Sequence, residues 1–225
     1  MPGILYIVAT PIGNLEDISV RALQTIGTAD LLLAEDTRQT QKIVSHFGFK
    51  AEIVRFDTHA AASDVQNAIK LLGEGKNLAL VTDAGTPAIS DPGAWLVAEV
   101  VRAFGDEAKI IPIPGPSAVT AALSVSGFNS DEFVFYGFVP PKKGRDAKLK
   151  EIAGESRTAV VFESPHRIEK TLAELSALCP ERRAVVCREL TKMFETVYRG
   201  KLSELAALGK IRVQGEFVIV LAPQK

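Results

Sequence analysis

Cysteine is nearly missing from this chain: Cys179 and Cys187 are the only two among 225 residues. Their spacing matches neither a disulfide framework nor a CxxC ligand pair. Cys187 falls in an apolar run, where a free thiol packs as a small hydrophobe, and a reducing compartment, the cytoplasm, is the expectation. Long apolar runs are lacking too. None approaches the ~20 residues of a membrane-spanning helix. The start, Met1-Pro2-Gly3, has no basic segment ahead of its apolar run, so neither a membrane anchor nor a secretory leader is expected. No GxGxxG follows the first strand-like run, and GxxxxGK[ST] and GxSxG are absent, which argues against a nicotinamide site, a P-loop and a hydrolase nucleophile elbow. The three histidines, His46, His59 and His166, stand outside any HExxH or CxxC pattern, so no metal is expected.

What is present is an ordinary globular composition, 47% hydrophobic and 24% charged, with no sign of disorder. The net charge of −1 hides a split: residues 1–115 hold 9 Lys/Arg against 14 Asp/Glu, residues 116–225 hold 17 against 13. An acidic half and a basic half suggest different work, although surface solubility alone produces such splits. The pattern changes at the same place. In the first half, apolar runs at 4–9, 31–34, 53–56, 78–81 and 110–113 alternate with helical spacing such as Val20/Leu23/Ile26 and Val65/Ala68/Ile69/Leu72. Ser63 is the expected N-cap of the latter helix and Gly73 its stop, while Asp91-Pro92 opens another. Alternation of this kind predicts a mostly parallel sheet covered on both faces. After Pro112-Ile113-Pro114-Gly115-Pro116, strands are expected at 133–138, 158–162, 184–187, 195–198 and 217–221. Ser164-Pro165 is expected to cap a helix there. Little helix separates some of these strands, so the second sheet should be mixed. The expected organisation is α/β throughout, with an N-terminal domain at 1–115 and a C-terminal domain at 116–225.

Ligands in open α/β sheets bind beyond the carboxyl ends of the strands, and four loops at such ends carry unusual residues. They are Thr10-Pro11-Ile12-Gly13-Asn14; Glu35-Asp36-Thr37-Arg38; the long run from Thr82 to Gly93; and Pro114-Gly115-Pro116-Ser117-Ala118. Each has an ordinary reading as a turn or a helix cap. The third is harder to read so, since its glycines, prolines and aspartates let backbone approach a ligand closely. In the second half, Val139-Pro140-Pro141-Lys142-Lys143-Gly144-Arg145 reads as an exposed basic loop, with Lys148 and Lys150 just beyond it.

Five segments, in order along nearly the whole chain, resemble the tetrapyrrole methylase family, and within it the branch that acts on small-subunit ribosomal RNA. They are Leu5-Tyr6-Ile7-Val8-Ala9-Thr10-Pro11-Ile12-Gly13-Asn14-Leu15, Ala34-Glu35-Asp36-Thr37-Arg38, the 82–93 loop, Pro114-Gly115-Pro116-Ser117-Ala118, and Phe162-Glu163-Ser164-Pro165-His166-Arg167. The resemblance implies two α/β domains with S-adenosylmethionine in the cleft between them, usually in a homodimer. It implies methyl transfer to the ribose 2′-hydroxyl of a cytidine in 16S rRNA, presented as rRNA or as the 30S subunit. Carried over by position, Pro11, Ala84, Gly85, Thr86, Ile89, Ser117, Ala118, Ser164 and Glu216 would bind the donor. Two departures stand out. The family's corrin and sirohaem enzymes begin with a Gly-rich loop, whereas Thr10-Pro11-Ile12-Gly13-Asn14 has one glycine, which argues against a tetrapyrrole substrate. The rRNA branch commonly continues into a small helical extension, and this sequence ends at Lys225.

Transfer to a hydroxyl needs in-line alignment and removal of a proton. Glu35, Asp36 and Asp83 are the expected acids on the acceptor side, with Arg38 as a bidentate fork for phosphate. The basic loop through Lys142, Lys143 and Arg145 is the expected path of RNA, with Arg182/Arg183 as an alternative. Two other readings stay open: a methyltransferase of the same fold acting on a tetrapyrrole or other small molecule, and a non-catalytic RNA-binding protein.

Overall fold

Apolar runs flanked by amphipathic segments build the first sheet. The computed structural model describes all residues except 58, 59, 91, 92, 208, 210 and 225, and divides into two units, Met1–Ser117 and Ala118–Lys225. The first unit runs β1 (Ile4–Val8), α1 (Val20–Thr28), β2 (Leu31–Ala34), α2 (Thr37–His46), β3 (Ile53–Arg55), α3 (Ala62–Gly73), β4 (Leu78–Val81), α4 (Gly93–Phe104) and β5 (Lys109–Ile113). Its five strands are all parallel, in the order β3-β2-β4-β1-β5. Because successive side chains point to opposite faces, Leu31, Leu33, Leu78 and Leu80 join α3 and α4 in one core. Leu32, Ala34, Ala79 and Val81 join α1 and α2 in another. Both faces are therefore covered, which is why β2 and β4 are buried at every position.

Local chemistry sets the helix starts. The Ser19 hydroxyl accepts from Ala22 N at 3.1 Å and opens α1. For α3 the expected cap at Ser63 is corrected: the helix begins at Ala62, because the Asp64 carboxylate reaches back to Ala61 N at 2.7 Å and fixes Ala61 as the cap. Gly73 is the last residue of that helix rather than its stop. The reversal is made two residues later at Gly75, with φ +84°. The expected opening of α4 by Asp91-Pro92 lies outside the described residues.

The second unit runs α5 (Ala118–Ser126), β6 (Phe133–Phe138), α6 (Arg145–Gly154), β7 (Thr158–Glu163), α7 (Ile168–Leu178), β8 (Arg183–Arg188), β9 (Thr196–Lys201), α8 (Leu202–Leu205) and β10 (Phe217–Leu221). Its sheet, β6-β7-β10-β8-β9, is mixed, with β6 and β7 parallel and the remaining pairs antiparallel. Ala159, Val161, Ala184, Val186, Ile219 and Leu221 face α6, α7 and α8 in a single core. Cys187 is wholly buried in β8, and that burial pushes its thiol up to about 11, as expected of a packing residue. The expected cap at Ser164-Pro165 is also corrected. Residues 165–167 form a turn, and α7 begins at Ile168, with the Ser164 carbonyl accepting from Arg167 N and Ile168 N at 3.1 and 3.0 Å. Among the described residues no helix is long and apolar enough to cross a membrane.

Candidate functional site

In a parallel sheet every strand exits at the same end, so the loops after β2, β4, β1 and β5 share one edge. The last strand residues, Ala34, Val81, Val8 and Ile113, lie in register. Just beyond them Thr10 and Gly85 exchange both backbone hydrogen bonds, at 2.9 and 3.0 Å, as an isolated antiparallel bridge. The buried Thr10 hydroxyl donates to Thr82 O at 2.9 Å. Gly85 sits at φ +84°, and a Cβ there would meet Ile12 Cγ2 at 3.6 Å and Pro116 O at 3.8 Å. There is room for a methyl, so the backbone conformation is what favours glycine. Further along, Ala88 and Ser90 hold φ of 72° and 69°, a region that costs non-glycine residues ~1–3 kcal/mol each. Gly93 underlies this turn: a Cβ would lie 2.9 Å from Ala88 N and from Leu80 Cδ2, so only glycine lets α4 start so close to the loop.

Three carboxylates gather at this edge in two different electrostatic states. The Thr82 hydroxyl donates to Glu35 Oε2 at 2.6 Å, and Asp83 N approaches the same oxygen at 3.4 Å. Asp83 Oδ1 in turn accepts from Asp36 N at 3.0 Å. The ends of β2 and β4 are thus cross-tied, with Glu35 and Asp83 side by side and neither in an ion pair among the described residues. Loss of surrounding water, then the Glu35 charge, raise the Asp83 carboxyl above the usual aspartate value of 3.8. Asp36 is the opposite case. Its carboxylate caps α2 through Arg38 N at 2.8 Å and is forked by the Arg38 guanidinium at 2.6–3.1 Å. These bonds hold it down at about 2. The Arg38 fork expected for phosphate is here closed on Asp36, with its side chain 86% exposed.

The other expected residues of this unit fall along the same edge. Pro11 and Gly85 are buried, Thr86 and Ser117 half-buried, Ala84 exposed, and Ile89 50% exposed. An exposed isoleucine, a loop turned through left-handed backbone and two carboxylates outside any ion pair among the described residues suit a cationic sulfonium donor. S-adenosylmethionine therefore fits these residues. Thr82, which carries the Glu35 bond, was not singled out from sequence. A hydroxyl between a strand end and an aspartate is the signal that points to it.

In the second unit, Ser164 follows β7 directly and is half-buried, Ala118 opens α5, and Glu216 stands one residue ahead of the final strand rather than on it. Glu216 takes Lys192 Nζ at 2.9 Å. The basic loop needs correction. Lys142 and Lys143 are exposed, but Arg145 is buried. It donates to Glu174 Oε2 at 2.9 and 2.5 Å, to Thr171 Oγ1 at 2.7 Å and to Pro140 O at 3.3 Å. Thr171 then donates to the fully buried Glu163 at 2.7 Å, and Arg167 pairs with the other Glu163 oxygen at 2.8 Å. Arg145 is a structural cation, unavailable to phosphate. Arg182 is likewise buried, spent on the carbonyls of Ile152, Ala153, Arg157 and Ala222. Arg183 stays exposed, its guanidinium 5.4 Å from the Phe128 ring centroid.

Residues 4–206 match the family model of the tetrapyrrole (corrin/porphyrin) methylases. The chain belongs to this family and is an S-adenosylmethionine-dependent methyltransferase. It is 43% identical over 221 residues to the ribosomal RNA small subunit methyltransferase I of Thermotoga maritima, covering 98% of both chains. It is 47% identical over 228 residues to the protein of the same name from Neisseria meningitidis serogroup A, covering 98% of this chain and 76% of that one. Among solved structures, the methyltransferase CobJ superposes with a TM-score of 0.71 at 16% identity, covering 98% of this chain and 94% of that one. A uroporphyrin-III C-methyltransferase from Thermus thermophilus, complexed with S-adenosyl homocysteine, gives 0.66 at 18% identity, covering 98% and 97%.

Proposed function

We propose that the protein methylates the ribose 2′-hydroxyl of a cytidine in small-subunit rRNA, acting in the cytoplasm as a homodimer on rRNA or the 30S subunit. The observation that carries this reading is the near-complete match, at 43–47% identity, to proteins named for small-subunit rRNA methylation. Bound S-adenosylmethionine supplies a methyl group activated by its sulfonium. Pro11, Ala84, Gly85, Thr86, Ile89 and Ser117, with Ala118, Ser164 and Glu216 of the second unit, are the residues proposed to hold the donor. Asp83 is the proposed base. It is exposed, hydrogen-bonded on one oxygen only among the described residues, and made more basic than an ordinary aspartate by its surroundings. Glu35 is its positioning partner: with Thr82 it fixes the Asp83 main chain, and its charge keeps the neighbouring proton affinity high. Asp36 and Arg38 neutralise one another and serve chiefly to fix the start of α2.

Labelled-methyl transfer to 30S subunits from a strain lacking the endogenous modification is the test. Stoichiometric labelling of one ribose is expected. Label appearing only on a tetrapyrrole precursor would move the protein to that substrate, and donor binding with no transfer to either would leave a non-catalytic RNA-binding protein.

A further inference from the structure

Four segments of the second unit meet at the sheet edge where β7 ends. They are 139–144 after β6, 164–167 after β7, 189–195 between β8 and β9, and 212–216 before β10. The 189–195 connection is tied down throughout. The buried Arg188 guanidinium donates to Phe194 O at 2.8 Å and Gln214 O at 2.6 Å. Glu189 N donates to Glu216 O at 2.9 Å, Lys192 N to Glu189 O at 3.0 Å, and Thr191 N to Glu195 Oε2 at 2.6 Å. Two non-glycine residues, Glu189 and Thr191, are held at φ 54° and 66°, a strain that persists only where the surroundings over-determine it.

A loop fixed so firmly nevertheless leaves its largest apolar side chains in water. Met193 is 91% exposed and Phe194 56%. The Arg212 guanidinium lies 5.7 Å from the Phe194 ring centroid. Of the local acids, Glu189 and Glu216 are both paired with Lys192, and Glu195 holds Thr191 N. Among the described residues the Arg212 guanidinium bonds the neutral Gln214 side chain. Lys142 and Lys143 stand exposed on the loop after β6, at the same end of the sheet, two strand spacings from β10 and four from β9, roughly 10 and 19 Å. Outward, then, the edge offers an aromatic face, a thioether and three cations outside any ion pair among the described residues. Aromatic faces interleaved with cations are the chemistry that holds single-stranded nucleic acid, the bases stacking and the backbone tracking the charge.

We propose that Phe194 is a stacking platform for an unpaired base of the RNA substrate, with Arg212 on an adjacent phosphate. This rests on the rRNA reading above and names the surface that reading lacks. The test measures binding of a small-subunit rRNA fragment by the full chain, with S-adenosylhomocysteine affinity and oligomeric state recorded for every variant. Phe194→Ala should weaken RNA binding by about tenfold or more, while Phe194→Tyr retains it and Phe194→Leu does not. Arg212→Ala should flatten the log–log salt slope by about 0.7, a change that Phe194→Ala lacks. S-adenosylhomocysteine affinity should not move, and since both side chains face solvent the fold should survive.

Wild-type RNA affinity in Phe194→Leu, or unchanged affinity in Phe194→Ala, would overturn the proposal. So would a dimer that dissociates in Phe194→Ala while each protomer keeps its RNA affinity, which would make the loop a contact between copies. If the wild-type protein binds S-adenosylhomocysteine but no rRNA, the substrate reading itself fails and the platform falls with it.

Discussion

Glu35 and Glu163 both stand at the carboxyl end of a strand, and the two units treat them in opposite ways. Glu163 is fully buried and satisfied on both oxygens: one takes Ser164 N at 2.7 Å and Arg167 at 2.8 Å, the other Thr171 at 2.7 Å with Arg145 at 4.0 Å. Glu35 shares one oxygen between the Thr82 hydroxyl and Asp83 N, and its charge helps raise the neighbouring Asp83 carboxyl. A saturated buried network fixes geometry. Loss of surrounding water and a neighbouring carboxylate raise the proton affinity of Asp83, which is what a base requires.

Replacing the acid pair should therefore cost rate, and replacing the network should cost stability. Asp83→Asn keeps the acceptor for Asp36 N but removes the base, and single-turnover methyl transfer should fall by ~10²–10⁴-fold. Its denaturation midpoint should not fall. Equal losses of rate and stability would erase the contrast between the units. Arg145→Ala leaves Glu163 short of a partner in a wholly buried site and should destabilise the protein by ~3–5 kcal/mol in urea titration. A cost below 1 kcal/mol would mean that the network is ornamental.

Two smaller effects sharpen the comparison. Gly85→Val forces a β-branched residue to φ +84° on the loop proposed to face the donor, and calorimetry should show S-adenosylhomocysteine binding weakened by about tenfold, roughly 1.4 kcal/mol. Unchanged affinity would make that loop an ordinary turn. Lys142→Ala with Lys143→Ala should flatten the salt dependence of RNA binding by about 0.7 per lysine without changing donor affinity. Arg145 has no place in that set, because it is already spent inside the second unit.

How much of this is legible in sequence follows from where each signal lives. Residues 31–34 and 78–81 read as strands because central strands of a doubly covered sheet are apolar throughout. β9 reads short, as 195–198 against Thr196–Lys201, because it pairs on one side only and its far end carries Arg199 and Lys201. Lys142, Lys143 and Arg145 look alike along the chain. What buries Arg145 is Glu163, Thr171 and Glu174, on elements that the local pattern does not contain. The acids after β2 and β4 are visible as acids at strand ends. That Asp36 is neutralised and Asp83 is not depends on the Arg38 rotamer and on the cross-tie between two loops, both products of folding.

Proton removal is assigned to Asp83, and carbon-13 NMR titration of its carboxyl, in the wild type and in Glu35→Gln, tests that assignment most directly. The predicted wild-type midpoint lies above the usual 3.8 and falls toward that value when the Glu35 charge is removed. With the folded state binding the proton more tightly than the unfolded, stability drops as pH rises through the interval between the two values. Asp83→Asn should then gain a little stability above that interval and none below it. A wild-type midpoint at or under the usual value, unmoved by Glu35→Gln, would contradict the assignment of this edge as the place where the proton is taken.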